Sequence, residues 1–186
     1  MGFFDQRPEP APVREADPVP WARPETVLPG IAADTVILAR TDDAVLALSE
    51  LRAYPNGFQL VFTAVVRQPP GRPGFGSNGF LRRYEPGPVP DTFLRFGMRF
   101  ADGTVLTNLD ADPGNPGEVR PRLMPEGGHG GRRRYEQSYW VSPLPPPGRL
   151  DVVVEWPAQG IPETTVELGA AVVLDAARRA QTLFGP

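Results

Sequence analysis

The chain has 186 residues, no cysteine, one histidine and a formal net charge of −3 at pH 7. These values exclude disulfides and cysteine-ligated metal sites. They also argue against a general binder of nucleic acid or anionic membranes, which needs an excess of Lys and Arg. The 25 prolines and 20 glycines lie mostly between apolar runs, which favours short strands joined by many turns over a helical protein.

The proline content of residues 1–30 predicts an extended, proline-rich arm, and the length of residues 31–186 predicts one domain. Seven prolines in the first 30 residues make a regular helix or a central strand unfavourable. The arm could be a solvated tail, or a strap in which Trp21 and Leu28 pack on the domain or on a neighbouring molecule. The N-terminus lacks a signal-peptide pattern and no apolar run reaches about 18 residues, so we expect a cytoplasmic protein without a membrane span.

The first half of the domain predicts a strand at 35–40 and a long hairpin at 44–68. Residues 44–54 are ambiguous, because Ala, Leu and Glu also favour a helix. We predict a strand there because Pro55-Asn56-Gly57 has the composition of a hairpin turn. The following run, Phe58 to Val66, alternates between apolar and polar residues, as a strand with one wet face does.

Residues 92–109 carry the strongest local pattern in the chain. Leu94, Phe96, Met98 and Phe100 share one face of a strand, and Arg95, Gly97 and Arg99 share the other. Asp102-Gly103 predicts a two-residue type I′ turn, which requires φ > 0 at both positions. Val105, Thr107 and Leu109 then resume the alternation in a second strand.

Two long loops flank this hairpin, at residues 69–91 and 110–131. The second ends in the run Gly127–Gly131, which predicts a flexible segment. Loops of this length in a compact domain are functional or disordered.

The last third of the chain predicts strands at 135–141, 149–157 and 164–168. Asp175 is placed to cap a short C-terminal helix from Ala176 to Phe184. Seven to nine alternating strands without helices between them predict an all-β, antiparallel β-sandwich with one short C-terminal helix.

Several segments resemble a family of uncharacterised proteins from high-GC bacteria. The segments that carry the resemblance are Tyr54–Gly57, Phe96–Gly103, Ser138–Gly148 and Val154–Thr164. The resemblance runs over most of residues 20–186. It implies a bacterial origin and a single domain, and it implies no activity, substrate or catalytic residue.

Candidate catalytic and metal-binding residues are sparse. His129 lies among four glycines, which cannot orient a catalytic base, so we interpret it as a solvated loop residue. Residues 110–118 contain oxygen ligands at short spacing, but prolines and glycines stand where a calcium loop needs further ligands. Four acids could form a paired-carboxylate site, but acids on the wet face of a strand usually serve solubility: Asp102, Glu136, Asp151 and Glu155. We therefore predict no catalytic residue, no metal and no cofactor.

The best candidate binding site is a patch of arginine and aromatic residues in and beside the long loops. Such residues can stack on rings and pair with anions. The predicted contact residues are Trp21, Arg82, Arg83, Tyr84, Arg132, Arg133, Arg134, Tyr139 and Trp140. The alternative is a solvated charged edge that prevents strand-to-strand aggregation.

The sequence therefore predicts a non-catalytic protein-interaction or structural module. The expected partner is another protein, or a second copy bound through the N-terminal arm, and neither nucleic acid nor a membrane. The alternative is a small-ligand or carbohydrate-binding sandwich that uses the arginine and aromatic patch. An enzyme ranks third because no nucleophile and base can be paired.

Overall fold

The computed structural model describes residues 19–32, 34–68, 88–110, 118 and 120–184. Within these ranges the chain forms twelve strands, one α-helix (α1) and one 3₁₀ turn at Pro157–Gln159. The strands are β1 Val27–Leu28, β2 Gly30–Ala32, β3 Val36–Arg40, β4 Ala44–Tyr54, β5 Gly57–Val66, β6 Arg95–Phe100, β7 Val105–Thr107, β8 Arg122–Gly130, β9 Arg134–Ser142, β10 Leu150–Trp156, β11 Ile161–Glu167 and β12 Gln181–Thr182. The helix α1 is Ala170–Arg178.

The predicted fold class is confirmed: antiparallel sheets dominate and one short helix lies near the C-terminus. The described strands outnumber the predicted seven to nine. Three of the unpredicted strands, β1, β2 and β12, have two or three residues each, which is too short for an alternation to show in the sequence.

The large sheet has six strands in the order β2-β4-β5-β9-β8, and β3 pairs with β4 next to β2. Residues 44–54 are a strand, as predicted, and form β4. Pro55 and Asn56 make the turn between β4 and β5, with Tyr54 opposite Gly57. A Cβ atom at Gly57 would lie 2.6 Å from the ring of Trp140, so this turn has room only for glycine.

The small sheet has four strands in the order β11-β10-β6-β7. The predicted inward residues of β10, and of β6 with the preceding Leu94, are all buried: Leu94, Phe96, Met98, Phe100, Leu150, Val152, Val154 and Trp156. The two sheets meet through their aromatic rings. The ring of Phe96 lies 4.0 Å from Phe62 and 5.3 Å from Tyr139, between ring centroids, and so joins β6 to β5 and β9.

Helix α1 extends the core by packing against β2 and β4 through Ala170, Val173 and Ala176. The predicted start at Asp175 is wrong, because the helix begins after Gly169, which has φ 73°. Asp175 lies inside the helix and pairs with Arg178. The predicted end at Phe184 is also wrong, because the chain leaves the helix to form β12 against β1.

The β6–β7 hairpin has a three-residue loop, so the predicted type I′ turn is wrong. The Gly103 N–H donates to the Phe100 carbonyl at 3.0 Å, and of the three loop residues only Gly103 has positive φ, at 87°. This combination is a turn followed by a left-handed glycine. Met98 therefore pairs with Leu106, which is 7% exposed, and Val105 points outward at 58% exposure. The longer loop shifts the register of β7 by one residue, so Val105 faces outward and not into the core as predicted.

The run Gly127–Gly131, predicted as a flexible loop, largely belongs to β8, which pairs with β9 along its length. Two of its glycines, Gly128 and Gly130, are required by close packing. A Cβ atom at Gly128 would lie 2.3 Å from the Tyr135 hydroxyl, and one at Gly130 would lie 2.8 Å from the Tyr135 ring. Glycine here lets a neighbouring aromatic ring lie against the strand backbone.

We expect Gly30→Ala to destabilise the protein, because a Cβ atom there would lie 1.8 Å from the Ala176 carbonyl oxygen and force α1 off the sheet. The expected loss in the free energy of unfolding is at least about 2 kcal/mol, measured by urea denaturation. Gly127→Ala is the control, since a Cβ atom at Gly127 meets nothing within 4 Å. Its free energy of unfolding should change by less than about 0.5 kcal/mol. Equal losses in the two variants would contradict the packing argument.

Candidate functional site

The predicted patch at residues 132–140 is not brought together by the fold. Arg132, Arg133 and Arg134 are exposed where β8 turns into β9. Tyr139 and Trp140 lie further along β9, and only 1% and 2% of their surface is exposed. Adjacent strand residues face opposite ways, so the two rings also point to opposite faces of the large sheet.

Tyr139 is a core residue. Its ring packs against Phe62 and Phe96 between the two sheets. Burial raises the pKa of the Tyr139 hydroxyl well above its usual range, and a hydrogen bond with the Asn108 side chain opposes that shift only in part. A side chain enclosed in this way offers no ring face to a ligand.

Trp140 lies on the outer face of the large sheet, where residues 19–26, the strap, cover it. Its indole N–H donates to the Trp21 carbonyl at 2.8 Å. The Arg122 guanidinium lies 4.7 Å from the centre of the Trp21 ring. Trp21 therefore packs on its own domain, as in one of the two alternatives predicted for the arm, whereas Leu28, the other expected anchor, is exposed.

Polar contacts fix the rest of the strap. The Asn56 side-chain amide donates to the carbonyls of Pro20 and Ala22, at 3.0 and 2.8 Å. Arg23 and Glu126 form an ion pair at 3.2 Å. Asn56 is a turn residue between β4 and β5, so one tight turn both closes a hairpin and holds the arm.

Arg82, Arg83 and Tyr84 lie outside the described residues, as does most of the calcium-like segment at 110–118. Their part in a binding patch stays a prediction.

Each acid of the proposed carboxylate pairs on β9 and β10 has an arginine partner. Glu155 pairs with Arg95, and Glu136 pairs with Arg134. The expectation that Asp151 is a solvated acid is wrong: it is 1% exposed, and Arg149 Nε donates to both its oxygens at 2.8 and 2.9 Å. The Arg149 guanidinium covers the Asp151 carboxylate on the outer face of the small sheet, and this contact raises the pKa of the guanidinium.

His129 is part of β8, and its Nε2 lies 3.2 Å from Glu136. The imidazole is mostly exposed and faces away from the core. Across the described ranges, no three His, Cys, Asp or Glu side chains are grouped so that they could hold a metal ion.

A groove of about 550 Å³ lies on the outer face of the small sheet. Its floor is formed by Gly97 of β6, between Val153 of β10 and Thr107 of β7, which pair with it on either side. Arg95 and Arg99, two residues away from Gly97 in each direction, border the groove. A missing side chain in the middle of a four-stranded face therefore creates the depression.

On the β7 side, the space above Gly97 is bounded by a backbone carbonyl and a methyl group. A Cβ atom at Gly97 would lie 3.0 Å from the Leu106 carbonyl oxygen and 3.4 Å from the Thr107 methyl group. Glycine inside a strand often marks a close approach of another group. The position of Gly97 on the wet face, between two arginines, could be predicted from the sequence. The residues of β7 and β10 that flank it, Thr107 and Val153, could not.

The charges around the groove fall into two sets. The Arg95 guanidinium forms an ion pair with Glu155, and the Asp91 carboxylate lies 3.8 Å from it. Arg99 and Glu163 also line or border the groove. In the part of the chain that the structure describes, neither has a charge of opposite sign within 4 Å. The groove thus offers an apolar centre, together with one cation and one anion that have no ion-pair partner among the described residues. Charged and apolar groups arranged in this way can bind a ligand.

No family model matches the chain, and no curated protein or solved structure matches it either. The resemblance to a bacterial family stays a prediction. None of the helices in the described ranges has the length and apolar character needed to cross a membrane.

Alkaline pH should test the enclosure of Tyr139. Because the pKa of its hydroxyl is raised in the folded state, its contribution to stability is complete below the unfolded pKa of about 10 and is lost as the pH rises above that value. Between pH 9 and 11 the wild-type free energy of unfolding should therefore fall by about 1 kcal/mol more than that of Tyr139→Phe. Urea denaturation at both pH values measures this, and the comparison within each protein cancels the packing effect of the substitution. Equal falls would show that Tyr139 ionises freely in the folded protein.

Proposed function

We propose that the protein is a non-catalytic interaction module that holds an extended segment of a partner protein in the groove on the outer face of the small sheet. The observation that carries the proposal is the groove itself, about 550 Å³ in volume, with an apolar floor and unpaired charges of both signs. Two ion pairs lie on the same face, Arg95 with Glu155 at the border of the groove and Arg149 with Asp151 beside it.

The shape of the site favours a polypeptide. The groove lies on an open sheet face and is bordered by residues from all four strands, from Val105 of β7 to Glu163 of β11. Four strands spaced about 4.8 Å apart span about 14 Å, the length of four to five extended residues. A contact of this size is small, so we expect a transient complex of modest affinity.

The contacts of the strap favour the groove, and not the strap itself, as the surface that binds a partner. Trp21 and the carbonyls of its neighbours are already used by Trp140 and Asn56 of the same chain. Self-association through the arm therefore depends on residues 1–18, which lie outside the described residues, and it stays a prediction, as does the cytoplasmic location.

A small-ligand site is the second candidate, because the groove volume falls in the range of small-molecule pockets. The side chains predicted to serve it, Tyr139 and Trp140, do not line the groove. A small ligand would have to rely on the arginines, above all Arg99.

Val153→Lys tests the proposed function, because it places a charged side chain in the apolar centre of the groove. We expect peptides selected from a random display library against the wild-type protein to lose at least about tenfold in affinity for this variant. Val65→Lys is the matched control, since Val65 also points outward from a central strand, on the opposite sheet. Its affinity for the same peptides should equal that of the wild type.

Thermal denaturation of both lysine variants would show that they remain folded. Selected peptides that bind equally well to all three proteins would overturn the proposed function.

A further inference from the structure

The two unpaired charges of the groove lie on a diagonal of the small sheet. In the strand register, Arg99 of β6 lies opposite Asp151 of β10, and Asp151 lies opposite Glu167 of β11, without an ion pair between Arg99 and Asp151. Glu163 lies four residues before Glu167 on the same strand. The guanidinium and the carboxylate therefore stand at opposite corners of the groove, two strands and four residues apart.

Standard strand geometry gives the length of that diagonal. Four residues at about 3.4 Å and two strand spacings of about 4.8 Å place the two Cα atoms about 17 Å apart. The midpoint falls at Val153, which pairs with Thr165 on one side and Gly97 on the other. The centre of the diagonal is thus an apolar side chain next to the depression over Gly97.

The opposite diagonal is neutralised within the chain. Arg95, at one end, pairs with Glu155 and Asp91. Glu167, at the other end, lies 3.6 Å from Arg149. Among the described residues around the groove, the diagonal from Arg99 to Glu163 carries the charges that a partner can pair with, so the sheet face specifies the direction in which a partner segment crosses the strands.

We infer that the partner segment is an extended stretch of five residues with an acidic side chain at one end, an apolar side chain in the middle and a basic side chain at the other end. This inference rests on the proposed function. In an extended chain, residues one, three and five share a face and span about 14 Å, so side-chain reach covers the remaining distance. The acid meets Arg99, the apolar group lies on Val153 and fills the space over Gly97, and the base meets Glu163.

Charge complementarity selects this occupant. A segment with two acids would place one beside Glu163, and a segment with two bases would place one beside Arg99. Like charges brought together at a contact are unfavourable and suppress wrong partners. The contact uses side chains alone, so the segment can run in either chain direction.

Four fluorescein-labelled heptapeptides test the inference by fluorescence anisotropy. The mixed peptide is Thr-Glu-Thr-Phe-Thr-Arg-Thr. The others carry two glutamates, two arginines, or serine in place of phenylalanine. We expect the wild-type protein to bind the mixed peptide at least about tenfold more tightly than each of the other three.

Charge reversal at each end should change the preference in a defined way. Arg99→Glu makes both ends acidic, so it should bind the two-arginine peptide more tightly than the mixed one. Glu163→Arg makes both ends basic, so it should prefer the two-glutamate peptide. Arg132→Glu is the control for net charge, since Arg132 is exposed at the β8–β9 turn. This variant should keep the wild-type order.

The outcomes separate the two proposals. If display-selected peptides depend on Val153 but the reversal variants keep the wild-type preference, the charge pattern is wrong and the groove remains the binding site. If no peptide depends on Val153, the proposed function fails and the inference fails with it. A reversal that also occurs in Arg132→Glu would show that net charge alone governs binding and would overturn the inference.

Discussion

The packing of Phe96 against Phe62 and Tyr139 is the contact on which the rest of the structure depends. It joins the small sheet to the large one, with ring centroids 4.0 and 5.3 Å apart. Rings packed in tilted arrangements contribute both buried apolar area and favourable ring geometry. Because this contact fixes which face of β6 is inside, it also fixes Arg95, Gly97 and Arg99 on the outside. The groove is therefore a consequence of how the core is closed.

The two outer faces of the sandwich differ in whether another segment of the chain packs on them. On the large sheet, the strap covers Trp140 and satisfies its indole N–H. On the small sheet, Gly97 and Val153 line a groove, and several of the charges around them are paired within the chain. One face has been completed by the protein's own N-terminal segment. The other leaves a single unsatisfied diagonal, and it is there that we expect a partner to bind.

The loop between β6 and β7 shows how one residue of register decides a surface. A two-residue turn would have placed Val105 in the core. The three-residue loop places Leu106 there and turns Val105 outward, beside the groove. A shift of one residue moves every side chain of a strand to the opposite face. The left-handed glycine at position 103 is what the longer loop requires, and the hydrogen bond from the Thr104 N–H to Asp102 supports it and lowers the pKa of that carboxyl group.

Alternation of apolar and polar residues is a local property, so it was enough to predict the class of fold and the inward faces of the long strands β5, β6 and β10. It also placed Gly97 on a wet face. Tertiary structure decided the rest. In the sequence, Gly128 and Gly130 indicated a flexible loop, but the Tyr135 ring packs against both of them. Asp175 indicated a helix cap, but the helix begins earlier, after Gly169. The groove needs β7 and β10 on the two sides of β6, with β11 beyond β10. The strands β6 and β10 are more than 40 residues apart in the chain and meet only through long-range pairing, which no local pattern encodes.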